Sequence, residues 1–182
     1  SRLAVCDVSF ISVTIILPVL PALLCEDGGL VILVKPQFEV GRDQVGKGGI
    51  VRDSAEPTEA YRRLADGCRE VLDYAEPNGV RLAFEPEPGM LIQTFDDYQQ
   101  LLSLVDGPGF GLTVDIGHVY CLEPHPISNY LETWHDRIFT IHIEDMKRGV
   151  HDHLRFGEGT IDFPPVLNAL RSIDYQGGIN VE

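Results

Sequence analysis

Four side chains of the types that bind metal ions stand at the polar ends of short apolar runs in this sequence: Glu85, Asp115, His142 and Glu182. Such runs are typical of buried strands, and the carboxyl ends of parallel strands meet at one edge of a sheet, where ligand sites form. Carboxylates with one imidazole suit a hard or borderline divalent ion such as Mn²⁺, Mg²⁺, Co²⁺ or Zn²⁺. The sequence therefore predicts a metal site. The alternative is that each residue is only a polar strand end that meets solvent.

The elements that must position these residues alternate between strand and helix. The pattern predicts strands at 3–6, 30–34, 80–85, 111–115, 138–143 and 178–182. It predicts helices at 11–24, 59–76, 95–105, 126–136 and 163–172. Strict alternation favours the α/β class, with parallel βα units and right-handed crossovers. A closed (β/α)₈ barrel has eight strands, so we expect a partial barrel.

The composition limits the kinds of partner. The chain has 182 residues, 44% of them hydrophobic, and a net charge of −14. An acidic chain is poorly suited to a phosphate backbone, so we expect no nucleic-acid partner. Four cysteines without a CxxC spacing indicate a reducing, cytoplasmic setting. The uncharged segment 8–25 is interrupted by Pro18 and Pro21, so we expect a buried helix there and no membrane span.

Five motifs follow one another in the C-terminal two thirds of the chain. They are Ala83-Phe-Glu85-Pro-Glu-Pro-Gly89, Asp115-Ile-Gly-His118, Ile141-His142-Ile-Glu-Asp145, Gly157-Glu-Gly-Thr-Ile-Asp162-Phe and Tyr175-Gln-Gly-Gly-Ile-Asn-Val-Glu182. In this order and spacing, residues 61–182 resemble the C-terminal half of the xylose-isomerase-like barrels. That group comprises sugar phosphate isomerases and epimerases, and its relatives include the family-2 apurinic endonucleases.

This resemblance implies an activity and roles for several residues. The four strand-end residues would hold the divalent metal, and the substrate would be a small sugar or sugar phosphate. Glu85 and Glu182 would be the catalytic pair that removes and returns a proton beside the substrate carbonyl, through an enediolate. His118 would stabilise charge on a substrate oxygen or belong to a second metal site.

Residues 151–155 place further polar side chains in what the sequence predicts to be a loop at the mouth of the site. One interpretation is that His151, His153 and Arg155 contact the substrate, for example its phosphate. A second is that His118, His151 and His153 share another metal ion, as in the endonuclease branch. A third is a solvated loop without a function.

The first 53 residues resemble a different group. Cys6-Asp7-Val-Ser-Phe-Ile-Ser12, Leu33-Val-Lys35-Pro-Gln-Phe-Glu39 and the glycine-rich stretch 41–53 are similar to FtsJ-like, hemolysin-A-type ribose 2′-O-methyltransferases. The resemblance places Asp7 and Lys35 on two of that family's catalytic positions. The family's other two catalytic positions and its glycine-rich S-adenosylmethionine turn have no counterpart here, so we expect no S-adenosylmethionine binding.

Two incomplete α/β parts thus meet at residues 54–58. We hypothesise a recombined or engineered chimera, in which a Rossmann-like βαβ fragment (1–53) completes a half-barrel (54–182) within one domain. The alternative is a truncated natural gene product. Function then has three candidates: a metal-dependent isomerase or epimerase of weakened activity, a catalytically inactive chimera, and an RNA 2′-O-methyltransferase fragment. Open sheet edges predict a homodimer.

Overall fold

The computed structural model describes residues 3–7, 11–25, 29–33, 57–105 and 107–182. Its chain divides into two compact units, Ser1–Arg81 and Leu82–Glu182. The α/β class with parallel strands is confirmed. Every residue of the predicted metal site lies in the second unit. Within the described part of the chain, no helix combines the length and apolarity needed to cross a membrane.

The first unit contains two parallel strands. β1 (Leu3–Asp7) pairs with β2 (Gly29–Leu33) along its whole length. Between them lie a helix of four residues, Val13–Ile16, and two single 3-10 turns. The helix predicted at 11–24, interrupted by Pro18 and Pro21, is thus present as short helical pieces, and it buries Val13, Leu17 and Leu20. Proline lacks the N–H that a continuing helix needs, and Ile15 and Val19 are 65% and 59% exposed.

The long helix of the first unit was predicted correctly. It runs over Pro57–Ala75 and buries one face, whose residues recur at the helical spacing: Ala65, Cys68, Val71, Leu72 and Ala75. A 3-10 turn, Glu76–Asn78, follows it. Gly79 then adopts a left-handed conformation (φ 68°) and donates its N–H to the Glu76 carbonyl, which ends the helix as the Pro-Asn-Gly signal predicts.

The second unit is built on a four-stranded parallel sheet. Its strands lie side by side in chain order: β3 (Leu82–Phe84), β4 (Phe110–Asp115), β5 (Ile138–Ile143) and β8 (Gly178–Val181). Three predicted helices connect them: Phe95–Val105, Ile127–Trp134 and Phe163–Ser172. Strand β4 is buried throughout, as expected for a strand covered on both faces. All these elements match the predicted ranges to within two residues.

A bulge sets the alignment of the two central strands. Leu112 pairs with Ile138, but Thr113 pairs with Thr140, so β5 contributes one extra residue, Phe139. Beyond the bulge, Asp115 stands opposite His142. Residues that are directly opposite in a parallel pair point to the same face. The bulge therefore brings these two side chains to one side of the sheet.

Two elements of the second unit were not predicted from the sequence. A short helix, Ile116–Leu122, begins directly after β4. An antiparallel hairpin joins β6 (Asp145–Lys147) to β7 (Val150–Leu154), with a two-residue turn in which Gly149 has a φ of 71°. The predicted loop at 151–155 is wrong, because most of that segment is strand β7. Its polar sequence hides the strand, since alternating apolar residues are absent.

Candidate metal centre

The structure brings the four predicted ligands together at the carboxyl edge of the parallel sheet. Glu85 follows β3, Asp115 ends β4, His142 lies near the end of β5, and Glu182 follows β8. We call them the four-ligand cluster, because one ligand atom from each lies within 4.8 Å of the others. His142 Nδ1 lies 3.2 Å from Glu85 Oε1 and 3.1 Å from Glu182 Oε2. Metal binding by this cluster stays a prediction.

Charge repulsion is built into the four-ligand cluster. Burial, with smaller contributions from the carboxyls of Glu144, Glu85 and Glu182, raises the pKa of Asp115 to about 8. The Glu85 carboxylate beside the ring raises the pKa of His142 to about 9, although burial opposes that shift. The carboxylates therefore favour a positive charge between them. At neutral pH protonated His142 supplies that charge, and a divalent ion can replace its proton.

The donor set fits a divalent ion. Asp115 Oδ2 is buried and has no hydrogen-bond partner among the described residues. Buried polar atoms normally have a partner, so this oxygen is consistent with a ligand position. Carboxylates with one imidazole match Mn²⁺, Mg²⁺, Co²⁺ or Zn²⁺. The residues that would hold the ion are those of the four-ligand cluster.

Asp115 also fixes the start of the helix that carries His118. Its Oδ1 accepts the His118 backbone N–H at 2.8 Å, which caps the helix Ile116–Leu122. His118 is only 6% exposed, and its ring Nδ1 lies 3.1 Å from the Pro86 carbonyl oxygen. Burial lowers the pKa of His118 to about 4, so the ring is neutral at neutral pH. A neutral ring that donates from Nδ1 to this carbonyl keeps a lone pair on Nε2.

Three histidines meet beside the four-ligand cluster. His151 and His153 alternate along β7 and therefore share one face of the hairpin. His118 Nε2 lies 3.1 Å from His151 Nε2, and one nitrogen from each of the three rings lies within 4.8 Å of the others. We call these residues the histidine cluster. It can contact a substrate or hold a second ion. Arg155, also a predicted contact, is exposed and follows directly after β7.

Glu144 was missed from the sequence, although it lies between the two clusters. Its side chain is fully buried, Oε2 is hydrogen-bonded to His153 Nδ1, and Oε1 has no partner among the described residues. Burial raises its pKa, although His153 opposes the shift. A carboxylate oxygen of Glu144 lies within 4.8 Å of ligand atoms of Asp115 and His118. A carboxylate oxygen of Glu144 also lies within 4.8 Å of ligand atoms of His153 and Glu182. The sequence did contain a signal for Glu144: it stands two residues after His142, and residues two apart in an extended chain lie on the same face.

Asp145 was also missed, and it organises the loop beside the hairpin. Its carboxylate accepts four backbone N–H groups, from Met146, Gly157, Gly159 and Ile161, at 2.8 to 3.2 Å. Asp145 is only 2% exposed. These bonds fix the Gly157-Glu-Gly-Thr-Ile161 segment, which explains physically why the Asp145 and Gly157 motifs occur together in this chain.

The methyltransferase-type residues are less fully described. Asp7 is the last residue of β1, and its side chain is not described. Lys35 lies outside the described residues, as do residues 34–56, which contain the rest of that motif and most of the predicted junction. Both catalytic assignments stay predictions.

Comparison with known proteins identifies the second unit's architecture. A sequence model of the xylose isomerase-like TIM barrel matches residues 38–182. The match begins earlier than the expected start near residue 61, and so overlaps the stretch that resembles methyltransferases. The inosose dehydratase of Clostridium beijerinckii is 28% identical over 141 residues, which cover 68% of this chain and 47% of that protein.

Two further similarities bear on the metal site and on the methyltransferase resemblance. A crystal structure of the IolI protein with a bound zinc atom is 26% identical with a TM-score of 0.59, covering 72% of this chain and 50% of that one. The rRNA methyltransferase YqxC of Bacillus subtilis is 52% identical over 61 residues, which cover 34% of this chain and 22% of that protein. The chain thus spans about half the length of the dehydratase and a small part of the methyltransferase.

Proposed function

Since the chain belongs to the xylose isomerase-like TIM barrel family, we propose that its second unit carries a metal-dependent site for proton transfer beside the carbonyl of a small sugar or polyhydroxy ketone. One observation carries the proposal: the four-ligand cluster converges at the carboxyl edge of a single parallel sheet. Relatives named inosose dehydratase and a zinc-containing relative support the substrate class and the metal. A sugar phosphate is the alternative substrate within the same class.

The chain's own residues supply the proton transfer. A divalent ion in the four-ligand cluster would polarise the substrate carbonyl and stabilise the negative charge of an enediolate. Glu85 and Glu182 follow the two edge strands of the sheet, β3 and β8, so they approach a bound carbon from opposite directions. One carboxylate removes the proton beside the carbonyl, and the other can return it on the opposite side. Isomerisation, epimerisation and dehydration all begin with this removal.

The histidine cluster would bind the substrate's remaining oxygens. His118 is neutral and fixed by Pro86, so its Nε2 can accept a hydrogen bond from a sugar hydroxyl. His151 and His153 face the same space from β7. Arg155 is exposed and follows β7 directly, so in this proposal it would give a substrate phosphate a charged partner.

Metal content is the first test. The full chain, purified without a histidine tag, should hold close to one equivalent of Mn, Co, Zn or Mg by elemental mass spectrometry. The double variant Glu85→Gln/His142→Ala should lose that metal, and the surface variant Glu158→Gln should keep it. Absence of metal from the wild-type chain, even after dialysis against each ion, would overturn the proposal.

Proton exchange is the second test. The metal-loaded chain is incubated in D₂O with inosose, D-fructose or D-fructose 6-phosphate, and deuterium at the carbon beside the carbonyl is followed by NMR. Glu85→Gln and Glu182→Gln should each slow the exchange by roughly 100-fold or more, the usual contribution of a general base. Exchange that is unaffected by either change would assign the chemistry elsewhere.

An inactive chimera and a methyltransferase fragment remain the competing hypotheses. The YqxC similarity supports a methyltransferase-like origin for part of the chain, and it does not establish a chimera. We expect no S-adenosylmethionine binding in isothermal titration calorimetry. Micromolar binding that Lys35→Ala abolishes would support the methyltransferase hypothesis instead.

A further inference from the structure

We infer that Arg148 is a positioning residue that clamps the β6–β7 hairpin to the short helix Ile116–Leu122 and thereby holds His151 in place against His118. The two histidines belong to different elements, His118 to the helix and His151 to the hairpin. Arg148 itself lies outside both clusters, at the exposed tip of the hairpin. The inference rests on the proposed function only where it assigns the two histidines to substrate binding.

The first observation is the set of hydrogen bonds between the hairpin tip and the end of the helix. Arg148 Nη1 donates to the Tyr120 carbonyl oxygen at 2.7 Å, and Nη2 donates to the Glu123 carbonyl oxygen at 2.5 Å. The Gly149 N–H donates to the Cys121 carbonyl oxygen at 3.1 Å. The last carbonyls of a helix have no partner within the helix. The hairpin tip therefore supplies donors to three carbonyls at this end.

The second observation is that a guanidinium suits this contact. Its positive charge lies at the C-terminal end of the helix, where the helix dipole favours a cation. Its central carbon lies 5.4 Å from the centroid of the Tyr120 ring, which is within cation–π range. Its planar fork donates to two carbonyls in a fixed geometry, which the ammonium group of a lysine does not reproduce. The contact therefore sets both the distance and the orientation of the hairpin relative to the helix.

The third observation is that the hairpin needs support from outside. Within the described part of the chain it is a sheet of two strands, and such a hairpin alone is at best marginally stable in water. The turns that match the twist of a hairpin need a positive φ at their first central residue, here Arg148, but of the two turn residues only Gly149 has one. The hairpin also packs Met146 against Gly117 of the helix, but apolar packing is non-directional. The hydrogen bonds of Arg148 therefore orient the hairpin.

The clamp and the histidine cluster depend on the same two elements. His118 stands two residues before Tyr120 on the helix, and His151 stands three residues after Arg148 on the hairpin. Their Nε2 atoms lie 3.1 Å apart, and their ring centroids 4.8 Å. A hairpin released from the helix end would move His151 away from His118. The four-ligand cluster lies along the edge of the parallel sheet, so we expect it to keep its geometry.

The positions of the two rings are tested first, without any substrate. In the full chain with Mg²⁺, selectively labelled at its six histidines, His118 and His151 should show a nuclear Overhauser effect between their ring protons. Arg148→Met should lose this effect. Lys147→Met, which removes the same charge from the neighbouring exposed residue, should keep it. An effect that persists at full strength in Arg148→Met would overturn the inference.

Arg148→Lys separates the clamp from its charge, and it keeps the test decisive if Arg148→Met does not fold. Lysine retains the positive charge at the helix end but cannot donate to both carbonyls in a fixed geometry. We therefore expect Arg148→Lys to lose most of the nuclear Overhauser effect. Full retention of the effect in this variant would show that the charge alone is sufficient and would refute the clamp.

The role in substrate binding is tested by the kinetics of proton exchange in D₂O, with inosose as the probe. Arg148→Met should raise KM by roughly 10-fold and keep kcat within about threefold, because it displaces groups that bind the substrate's hydroxyls and leaves the proton-transfer pair on the sheet. Lys147→Met should leave both constants unchanged. An unchanged KM for Arg148→Met, or a fall in kcat as large as the rise in KM, would refute this role.

Failure of this inference and failure of the proposed function give different results. If the wild-type chain exchanges no proton with any of the ketones, the proposed function fails, and the NMR comparison still decides whether Arg148 positions the two rings. If exchange occurs and Arg148→Met loses the ring contact but keeps its KM, the proposed function stands and the role of Arg148 in substrate binding is refuted.

Discussion

Replacing Asp145 by alanine should destabilise the second unit severely. Of the four N–H groups that this carboxylate accepts, those of Met146 and Ile161 belong to buried residues, 0% and 8% exposed. Each buried donor left without a partner costs about 1–3 kcal/mol. The N–H groups of Gly157 and Gly159 can form hydrogen bonds with solvent water instead, so we count only two donors. The expected loss in the free energy of unfolding is therefore roughly 2–6 kcal/mol.

The unfolding of the second unit can be followed selectively, since the chain's one tryptophan, Trp134, lies there. Urea denaturation monitored by its fluorescence gives the midpoint and the slope. Asp136→Ala is the matched control, because that side chain is 88% exposed, and it should change stability by less than about 0.5 kcal/mol. A loss below about 1 kcal/mol for Asp145→Ala would refute the reasoning that these donors depend on Asp145.

The pH dependence of stability in a second variant, Asp145→Asn, checks the sign of this contribution. Burial alone would raise the pKa of Asp145, but the four N–H donors together lower it. A carboxyl whose folded pKa lies below its unfolded value stabilises the fold above the unfolded value, near 4. That stabilisation is lost as the pH falls through the folded value. The difference in stability between wild type and Asp145→Asn should therefore be constant from pH 5 to 7 and shrink below about pH 4.

Three further predictions follow from the site and the first unit. Gly117→Ala should lower the melting temperature, although alanine normally stabilises a helix. The new Cβ would overlap a Glu144 carboxylate oxygen and lie 2.8 Å from Met146 Cε. A raised melting temperature would show that the Glu144 side chain can move away without cost. Zn²⁺ affinity should fall by roughly 5,000-fold from pH 8 to pH 6, since the ion displaces protons from Asp115 and His142, whose pKa values are raised to about 8 and 9. Calorimetry in buffers of different ionisation enthalpy should detect the release of these protons, and an affinity that does not change with pH would contradict the prediction. Burial raises the pKa of Cys68 to about 12, so iodoacetamide at pH 8 should modify exposed Cys25 and leave Cys68 unmodified until the chain unfolds. Equal labelling of both cysteines in the folded chain would be inconsistent with this burial.

The sequence by itself determined the elements of the second unit's sheet and which residues end its strands. The apolar run Phe-Gly-Leu-Thr-Val before Asp115 is too short for a typical helix, so its length favours a buried strand. The helix Phe163–Ser172 is equally local, because two prolines in its first turn and spaced apolar residues define it. Local chemistry suffices where each residue's preference agrees with its place in the fold.

The first unit shows the limit of that reasoning. The uncharged segment 11–24 predicted a buried helix interrupted by Pro18 and Pro21. The interruption leaves only short helical pieces, and several of their apolar side chains are exposed. Hydrophobicity indicates a preference for burial, but it does not specify whether the backbone can form one continuous surface to bury.

The tertiary structure alone decided which side chains meet. The bulge at Phe139 aligns Asp115 with His142; without it Asp115 would stand opposite Ile141, and His142 would point to the other face. No local signal in the sequence marks that extra residue. The hairpin that carries His151 and His153 is decided in the same way, by pairing between β6 and β7. Glu144 and His153 are nine residues apart in the chain, and only this pairing makes them partners.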